Sequence, residues 1–314
     1  MALFLSEKDV ASLIAMKEVV QAVEECFRRQ ASGSAVNSAR TRTPSSGAVL
    51  NVMHASLPYL GRAGVKCYLS SGRGARFVFV LFRLDDAEPL AVMGADVLGR
   101  YRTGAASAVA TRHLFRAKEF GFAVCGAGKQ ALTQVLAMRE VASLSSVRLW
   151  SPHSDRRELL AKELGNQGFA ASACDSLEDA LSGAEVATAI TSSKEPFLTP
   201  GLVRSVRHLN LCGSNMPSRA EATPECVGEF QTIVVDDIGQ SKTEAGDLVA
   251  AEKEGRFSWD RAFELKDVVS GKVRRTGRTL FKSNGVAIED VAAASLVYDR
   301  AVKEGGYAER SLGF

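Results

Sequence analysis

The sequence predicts an α/β protein in which a doubly wound parallel sheet is joined to a split α+β domain, and three observations carry that prediction. Short apolar runs alternate with helical stretches between about Glu119 and Thr279, the pattern that puts helices on both faces of a parallel sheet. Before that region, from about Ala48, β-like runs follow one another with glycines and Asp85-Asp86 between them, as the strands of an antiparallel sheet do. A last apolar-periodic stretch, about 289–302, is placed to return to the first domain and close it. The expected boundaries are 1–118 with 280–314 for the split domain and 119–279 for the doubly wound one.

Ser6-Glu7-Lys8-Asp9 has the form of a capping start, and Val10, Leu13, Ile14, Val19, Val20, Val23 and Phe27 recur at helical spacing, so the chain is expected to begin with helices. Strands are expected over 49–53, 63–69, 77–81 and 90–93, then an Ala-rich helix over 103–115 and a connector at Lys118-Glu119. In the second domain the run 121–125 reads as a strand and 131–142 as a helix. Strands over 147–150, 169–173, 186–191, 209–212 and 232–235, with helices over 155–164 and 176–181, complete the alternation.

A chain of 314 residues with 46% apolar side chains buries a large core and has room for two domains. Its 39 basic and 36 acidic residues leave a formal charge of +3, too even a balance to draw a polyanion, so nucleic acid is not an expected partner. Cys26, Cys67, Cys125, Cys174, Cys212 and Cys226 show neither CxxC pairing nor nearby histidines. They read as core-filling thiols in a reducing compartment, and no metal site is expected. Met1 to Leu5 has no basic flank and runs at once into charge, and no apolar run approaches the roughly 20 residues of a membrane helix. The cytoplasm is the expected location, with no membrane partner.

Directly after the first strand of the second domain comes Gly126-Ala127-Gly128-Lys129-Gln130-Ala131. A diphosphate bound there needs a tight turn, close approach of the backbone and the positive end of a helix dipole. Gly126 and Gly128 permit the turn and the approach, while Lys129 and Gln130 stand at the head of the helix. Ala131 replaces the third glycine and still allows helix and strand to pack closely, which makes this a Rossmann fingerprint for NAD(P)H. The next strand ends Trp150-Ser151-Pro152-His153-Ser154-Asp155-Arg156-Arg157, with no carboxylate at its tip to accept a ribose hydroxyl. Ser151, Ser154 and either Arg156 or Arg157 suit a ribose phosphate instead, which favours NADPH. The other reading is that Asp155 and the two arginines are the solvated first turn of a helix.

Arg40-Thr41 before Pro44, Val52-Met53-His54-Ala55, Lys66, Leu90-Ala91-Val92-Met93, Arg102-Thr103-Gly104-Ala105, the glycine loop, Gly213-Ser214-Asn215-Met216-Pro217 and the stretch from Phe281 to Asp290 follow one another along the chain. Together they resemble the ornithine cyclodeaminase/mu-crystallin family over nearly the whole sequence. The resemblance implies a homodimer whose split substrate-binding and dimerisation domain faces the Rossmann domain across a cleft. It implies that Arg40, Lys66 and Arg102 surround the carboxylate of an imino or amino acid, and a carboxylate taken out of water needs such charge-assisted partners. It also implies that Thr103 lies near the cofactor phosphates, that Thr191, Ser283 and Gly285 lie near the nicotinamide half, and that Gly213 binds the cofactor. A hydroxyl at the start of the Ala-rich helix equally suits a cap.

Asn215 divides the family's reactions. Ornithine cyclodeaminase resembles this sequence but carries an aspartate there, and an amide cannot act as a general base, although it can orient an imine or water. The expected reaction is the NAD(P)H-dependent reduction of an imino acid, such as the cyclic ketimine pyrroline-2-carboxylate, with Lys66 and Asn215 as catalytic residues. Ornithine cyclodeaminase or alanine dehydrogenase activity, and a non-catalytic NADPH-binding crystallin-like carrier, are the alternatives. Val78 stands where the family suggests a threonine near cofactor or substrate. His54 stands where it suggests a proline, either as an extra acid or as an ordinary structural histidine.

Overall fold

The first element is a strand where the sequence pattern suggested helices. β1 (Ala2–Leu5) pairs parallel with one strand and antiparallel with another, burying Ala2, Leu3 and Leu5. Four residues are too few to display a period, so only tertiary pairing reveals it. The computed structural model describes residues 1–311 and 313 and divides into two compact units, Met1–Arg102 with Val286–Phe314, and Thr103–Gly285.

In unit 1, α1 (Glu7–Leu13) starts at Ser6, whose hydroxyl accepts from the Asp9 N–H while the Asp9 carboxylate accepts from the Ser6 N–H. α2 (Met16–Ala31) buries the expected Val19, Val20, Val23 and Phe27. β2 (Val36–Asn37), β3 (Thr41–Ser45), β4 (Ala48–Leu57), β5 (Arg62–Ser71), β6 (Gly74–Arg83) and β7 (Pro89–Gly94) follow, and β4 to β7 form an antiparallel meander. Its strands outrun the apolar segments on which they were expected because backbone pairing continues through polar flanks such as Arg62 and Ser70. The register aligns Met53, Lys66, Phe79 and Met93 across four strands, all buried. A lysine in an otherwise apolar row needs a counter-charge from the elements that cover that face.

α3 (Asp96–Leu114) starts well before the expected Thr103. Its first N–H groups, those of Asp96 and Val97, donate to the Glu7 carboxylate at 2.8 and 3.0 Å. A cap delivered from another element leaves no local signature. Thr103 therefore lies inside the helix, buried, and the capping role does not apply.

Unit 2 contains β8 (Glu119–Cys125), α4 (Ala131–Arg139), β9 (Ser143–Trp150), α5 (Ser154–Asn166), β10 (Ala171–Ala173), α6 (Leu177–Leu181), β11 (Val186–Ala189) and β12 (His208–Leu211). α7 (Pro224–Gly228), β13 (Thr232–Val235), α8 (Ile238–Glu244), α9 (Gly246–Lys253), β14 (Ala262–Glu264), α10 (Leu265–Val269) and β15 (Thr279–Lys282) complete it. Its strands pair in parallel in the order β10-β9-β8-β11-β12-β15-β13-β14. Two of them, β14 and β15, were not foreseen. β15 sits between β12 and β13, so Leu280 to Lys282 belong to this sheet and the changeover falls at Gly285/Val286, beyond the expected 279/280. The other changeover, at Arg102/Thr103, falls inside α3 where 118/119 was expected.

α11 (Ala287–Glu304) returns to unit 1 and packs on α2, β4 and β5, with Ile288, Val291, Ala292 and Val297 buried; β16 (Ala308–Arg310) then pairs with β1. Five of the six cysteines are buried and Cys67 is half-buried, all as free thiols. Among the described residues, no helix is long and apolar enough to cross a membrane.

Candidate active site

In unit 2 the strand order reverses on either side of β8, and open α/β sheets bind ligands beyond the carboxyl ends of their strands at such a switch point. β8 leads into Gly126, whose φ is 121°. A Cβ on Gly126 would lie 2.5 Å from the Ile190 carbonyl oxygen, so the turn beside β11 accepts no other residue. Ala127 is half-buried and Gly128 and Lys129 are exposed; around Gly128 nothing lies within 4 Å of where a Cβ would stand. Gln130 occupies the N-cap position of α4, its Oε1 buried without a hydrogen-bond partner among the described residues. The loop opens on a cavity of about 300 Å³, lined also by Trp150, Ser151, His153, Arg156 and Thr191. A turn that excludes any side chain, open space over the second glycine, the head of a helix and an unsatisfied amide oxygen fit a dinucleotide.

The two candidate arginines after β9 have different fates. Arg157 donates to the Ser151 carbonyl at 3.0 Å and to Asp175 at 2.6 Å, while Arg156 is exposed and lines the cavity. Ser151 is buried, and its hydroxyl accepts from the His153 N–H at 3.3 Å.

Thr191, Gly213, Ser283 and Gly285 all lie just past strand ends, and buried carboxylates hold each of them. Glu221, fully buried, accepts from the Thr191 N–H at 2.7 Å, the Thr191 hydroxyl at 2.8 Å and the Gly213 N–H at 2.8 Å. A Cβ on Gly213 would meet Glu221 at 2.3 Å, so this clamp requires glycine. Burial pushes the Glu221 carboxyl up to about 7, against the pull of Lys282. The Lys282 ammonium lies 2.7 Å from Asp247 and donates to the Ser214 carbonyl at 2.9 Å, and Asp247 in turn accepts from the N–H groups of Glu221 and Ala222 at 2.6 and 2.9 Å. Asp236 accepts from the N–H groups of Asn284 and Gly285 at 2.7 and 2.6 Å and from the Ser283 hydroxyl at 3.5 Å. Burial pushes Asp236 up to about 6. Asn215 is half-buried in the loop after β12.

In unit 1, Lys66, Arg102 and Arg40 converge on the head of α11. The Lys66 Nζ lies 2.7 Å from each carboxylate oxygen of Asp290. Arg102 donates through Nε to Asp290 at 3.1 Å and through Nη1 to Glu289 at 2.8 Å. Both acids are completely buried, and Arg40, also buried, lies close enough for its charge to act on Lys66 and Asp290. Burial, with the Arg102 charge next, lowers Lys66 to about 8 despite Asp290. Arg102 and Lys66 hold Asp290 below the ordinary carboxylate range although its burial pushes the other way.

His54 is exposed on β4 in register with Val65, one residue out of step with Lys66, and so projects from the opposite face of the sheet; Val78 on β6 does the same. Neither belongs to the cation cluster. The sequence reading assigned no role to Glu289 and Asp290, although two adjacent acids opening an apolar helix demand buried counter-charges. Glu221, Asp236 and Asp247 carry no local signal at all.

A family model described as the ornithine cyclodeaminase/mu-crystallin family matches residues 1–305. The chain is 33% identical over 224 residues to the ketimine reductase mu-crystallin of Rattus norvegicus, covering 70% of this chain and 68% of the relative. It is similar in structure to the Thermococcus litoralis Delta(1)-pyrroline-2-carboxylate reductase in complex with NADH and L-proline, with a TM-score of 0.91 and 29% identity over 98% of this chain and 100% of the other. An archaeal alanine dehydrogenase dimer with bound NAD gives a TM-score of 0.91 and 28% identity over 99% of each chain.

Proposed function

This chain belongs to the ornithine cyclodeaminase/mu-crystallin family, and on that premise we propose that it is an NAD(P)H-dependent oxidoreductase that reduces the C=N bond of an imino acid, a cyclic ketimine such as pyrroline-2-carboxylate, to give the amino acid. The observation that carries this reading is the buried cation cluster, in which Arg40, Lys66 and Arg102 stand against Glu289 and Asp290. Two guanidinium groups and an ammonium gathered in one buried cluster supply the charge-assisted donors that the carboxylate of a ligand needs.

Reducing an imine requires a hydride at carbon and a proton at nitrogen. When bound, the reduced nicotinamide supplies the hydride. The protein grips the substrate carboxylate with Arg40 and Arg102 and holds the proton on Lys66 Nζ. An ammonium has three N–H donors, of which the two oxygens of Asp290 engage at most two, so one is left to face a ligand. With Lys66 lowered to about 8, the group is still mostly protonated at neutral pH yet acidic enough to give up its proton. Asn215 orients the imine nitrogen or a water, and its amide disfavours the cyclodeaminase reaction.

In unit 2, Gly126, Ala127, Gly128, Lys129 and Gln130 would hold the diphosphate with Thr103 nearby, and Thr191, Gly213, Ser283 and Gly285 would border the nicotinamide half. Ser151 and Arg156 would take the ribose phosphate of NADPH, a preference supported by the missing carboxylate at the end of β9 and by Arg156 at the cavity. We further propose that the chain works as a homodimer, a reading supported by the archaeal alanine dehydrogenase, which is a dimer.

The test is an absorbance assay of reduced nicotinamide with pyrroline-2-carboxylate, piperideine-2-carboxylate, and pyruvate with ammonia, each with NADH and NADPH. Oxidation of NADPH by a cyclic ketimine is expected. Turnover of ornithine without net nucleotide change would point to the cyclodeaminase, and tight NADPH binding with no turnover of any substrate would overturn the enzyme.

A further inference from the structure

We propose that Asp290 is a positioning residue that keeps the Lys66 ammonium charged and aimed, and thereby sets the pH range over which the cluster can deliver a proton. The inference rests on the reductase reading above and deepens it by assigning control of the proton donor.

Geometry singles Asp290 out. Lys66 lies in a row with Met53, Phe79 and Met93, where nothing on its own sheet offsets a charge. Asp290 lies on the helix that covers that sheet, among Ile288, Val291 and Ala292. Each of these two groups would be prohibitive in an apolar setting without the other. Both oxygens of Asp290 contact Nζ, and Oδ1 also accepts from Arg102 Nε. Its carboxylate thus fixes the position of the ammonium relative to the guanidinium that is to hold the substrate.

Among the described residues, few charged and titratable groups lie around Lys66. α11 presents Asp290 and Glu289, α3 presents Arg102, and the segment before β3 presents Arg40. Burial, with the Glu289 charge next, raises the Cys26 thiol of α2 and keeps it protonated. The neighbours in register, Met53 and Phe79, carry no charge. Among the described residues Asp290 favours the ammonium, whereas burial, Arg102 and Arg40 oppose it. Taking the charge off Asp290 while keeping its shape therefore lowers Lys66 further.

The proton step balances as follows. The N–H bond of Lys66 breaks and an N–H bond forms at the imine nitrogen, leaving a neutral amine on Lys66 that regains its proton from water. The two electrons that reduce the carbon come with the hydride of the nicotinamide. A Lys66 that is already neutral cannot begin the step. Charge counting gives a second consequence. In Asp290→Asn the cluster loses one negative charge and, above the new pKa, one positive charge, so there its attraction for a carboxylate is retained while its proton is lost.

The experiment compares wild type, Asp290→Asn and Asp290→Glu from pH 5.5 to 9, measuring kcat and KM for pyrroline-2-carboxylate and, by calorimetry, the affinity for pyrrole-2-carboxylate, a planar and unreactive mimic. Nucleotide binding and a cooperative melt verify the fold. Asp290→Asn is expected to move the alkaline limb of kcat at least one pH unit to the acid side, so that kcat falls at least about threefold at pH 7.5 and recovers toward wild type at pH 5.5. Affinity for the mimic at pH 7 should not fall. Asp290→Glu, which keeps the charge but changes its reach, should keep the limb in place and lower kcat. A loss uniform across pH, or an unmoved limb in Asp290→Asn, overturns the inference. Should Asp290→Asn fail to fold, wild-type kcat in Asp290→Glu overturns it instead. If the wild type turns over no imine at all, the reductase reading fails. The pH dependence of mimic binding then still decides Asp290, because curves that coincide in wild type and Asp290→Asn overturn its control of Lys66.

Discussion

In unit 1 the buried carboxylates of Glu289 and Asp290 face the cationic side chains of Lys66 and Arg102, whereas in unit 2 those of Glu221 and Asp236 accept backbone N–H groups just past the ends of parallel strands. A carboxylate on a titratable cation sets how readily that cation parts with its proton. A carboxylate on a peptide N–H cannot do so; it fixes where a loop runs. Asp247 in unit 2 combines the two, since it binds the N–H groups of Glu221 and Ala222 and also pairs with Lys282. That ammonium is kept above its ordinary value by Asp247 and Glu221 although burial opposes it, the reverse of the net effect on Lys66. On the proposed reading one lysine can give up its proton and the other is held as a fixed charge. Two lysines of equal burial are separated by their neighbours alone.

The contrast breaks most visibly at Lys66. Lys66→Met removes the proton donor, and kcat for imine reduction should fall about a thousandfold, within the range for general acids. The dissociation constant for NADPH, measured by fluorescence, should change less than about twofold, or about 0.4 kcal/mol. Equal activity in the variant would remove Lys66 from the chemistry. Lys282→Met tests the other lysine. It strands Asp247 among buried groups and should destabilise the protein by about 3–5 kcal/mol in denaturant unfolding, the cost of breaking a buried pair from one side. Stability equal to wild type would mean that Lys282 is not the fixed charge described here.

A smaller effect is expected from Glu221→Gln, which keeps the shape and loses the charge that draws the Thr191 and Gly213 N–H groups. Nucleotide affinity should weaken about tenfold, in line with the loss of charge-assisted hydrogen bonds, and the alkaline limb of kcat should stay where wild type has it. A shifted limb would blur the distinction between the units. The mildest change is Arg156→Ala, for which about fivefold weaker NADPH binding with NADH unaffected is the expected result, roughly 1 kcal/mol for an exposed charge pair. Equal loss for both nucleotides would assign Arg156 to the diphosphate or to nothing.

The pH profile of the wild type follows from the same comparison. Lys66 is lowered from 10.5 to about 8, so the ammonium is present below that value and lost above it. Turnover in the reductive direction should fall as pH rises through about 8.

Much of this arrangement was legible in the sequence wherever the signal was local. The glycine loop announced itself because a turn without side chains beside a helix head has few compositions, and α2 showed its buried face through period alone. The three cations could be named from the ordered motifs that resemble the family. Their counter-charges went unassigned, because Lys66 and Asp290 are 224 positions apart and the two acids that open α11 do not say which cations they face. The start of α3 was misjudged for the same reason, since Glu7 caps it from another element. β15 escaped because a four-residue strand ending in lysine looks exposed until Asp247 is placed beside it.

The central claim is that a hydride passes from nicotinamide to an imine carbon, and isotope transfer tests it most directly. Incubating the protein with pyrroline-2-carboxylate and NADPH deuterated at the transferable C4 position should give proline carrying one deuterium at the carbon next to the carboxylate, in step with the nucleotide oxidised. Deuterium that stays on the nucleotide, with no labelled product at any pH between 6 and 9, would contradict the account.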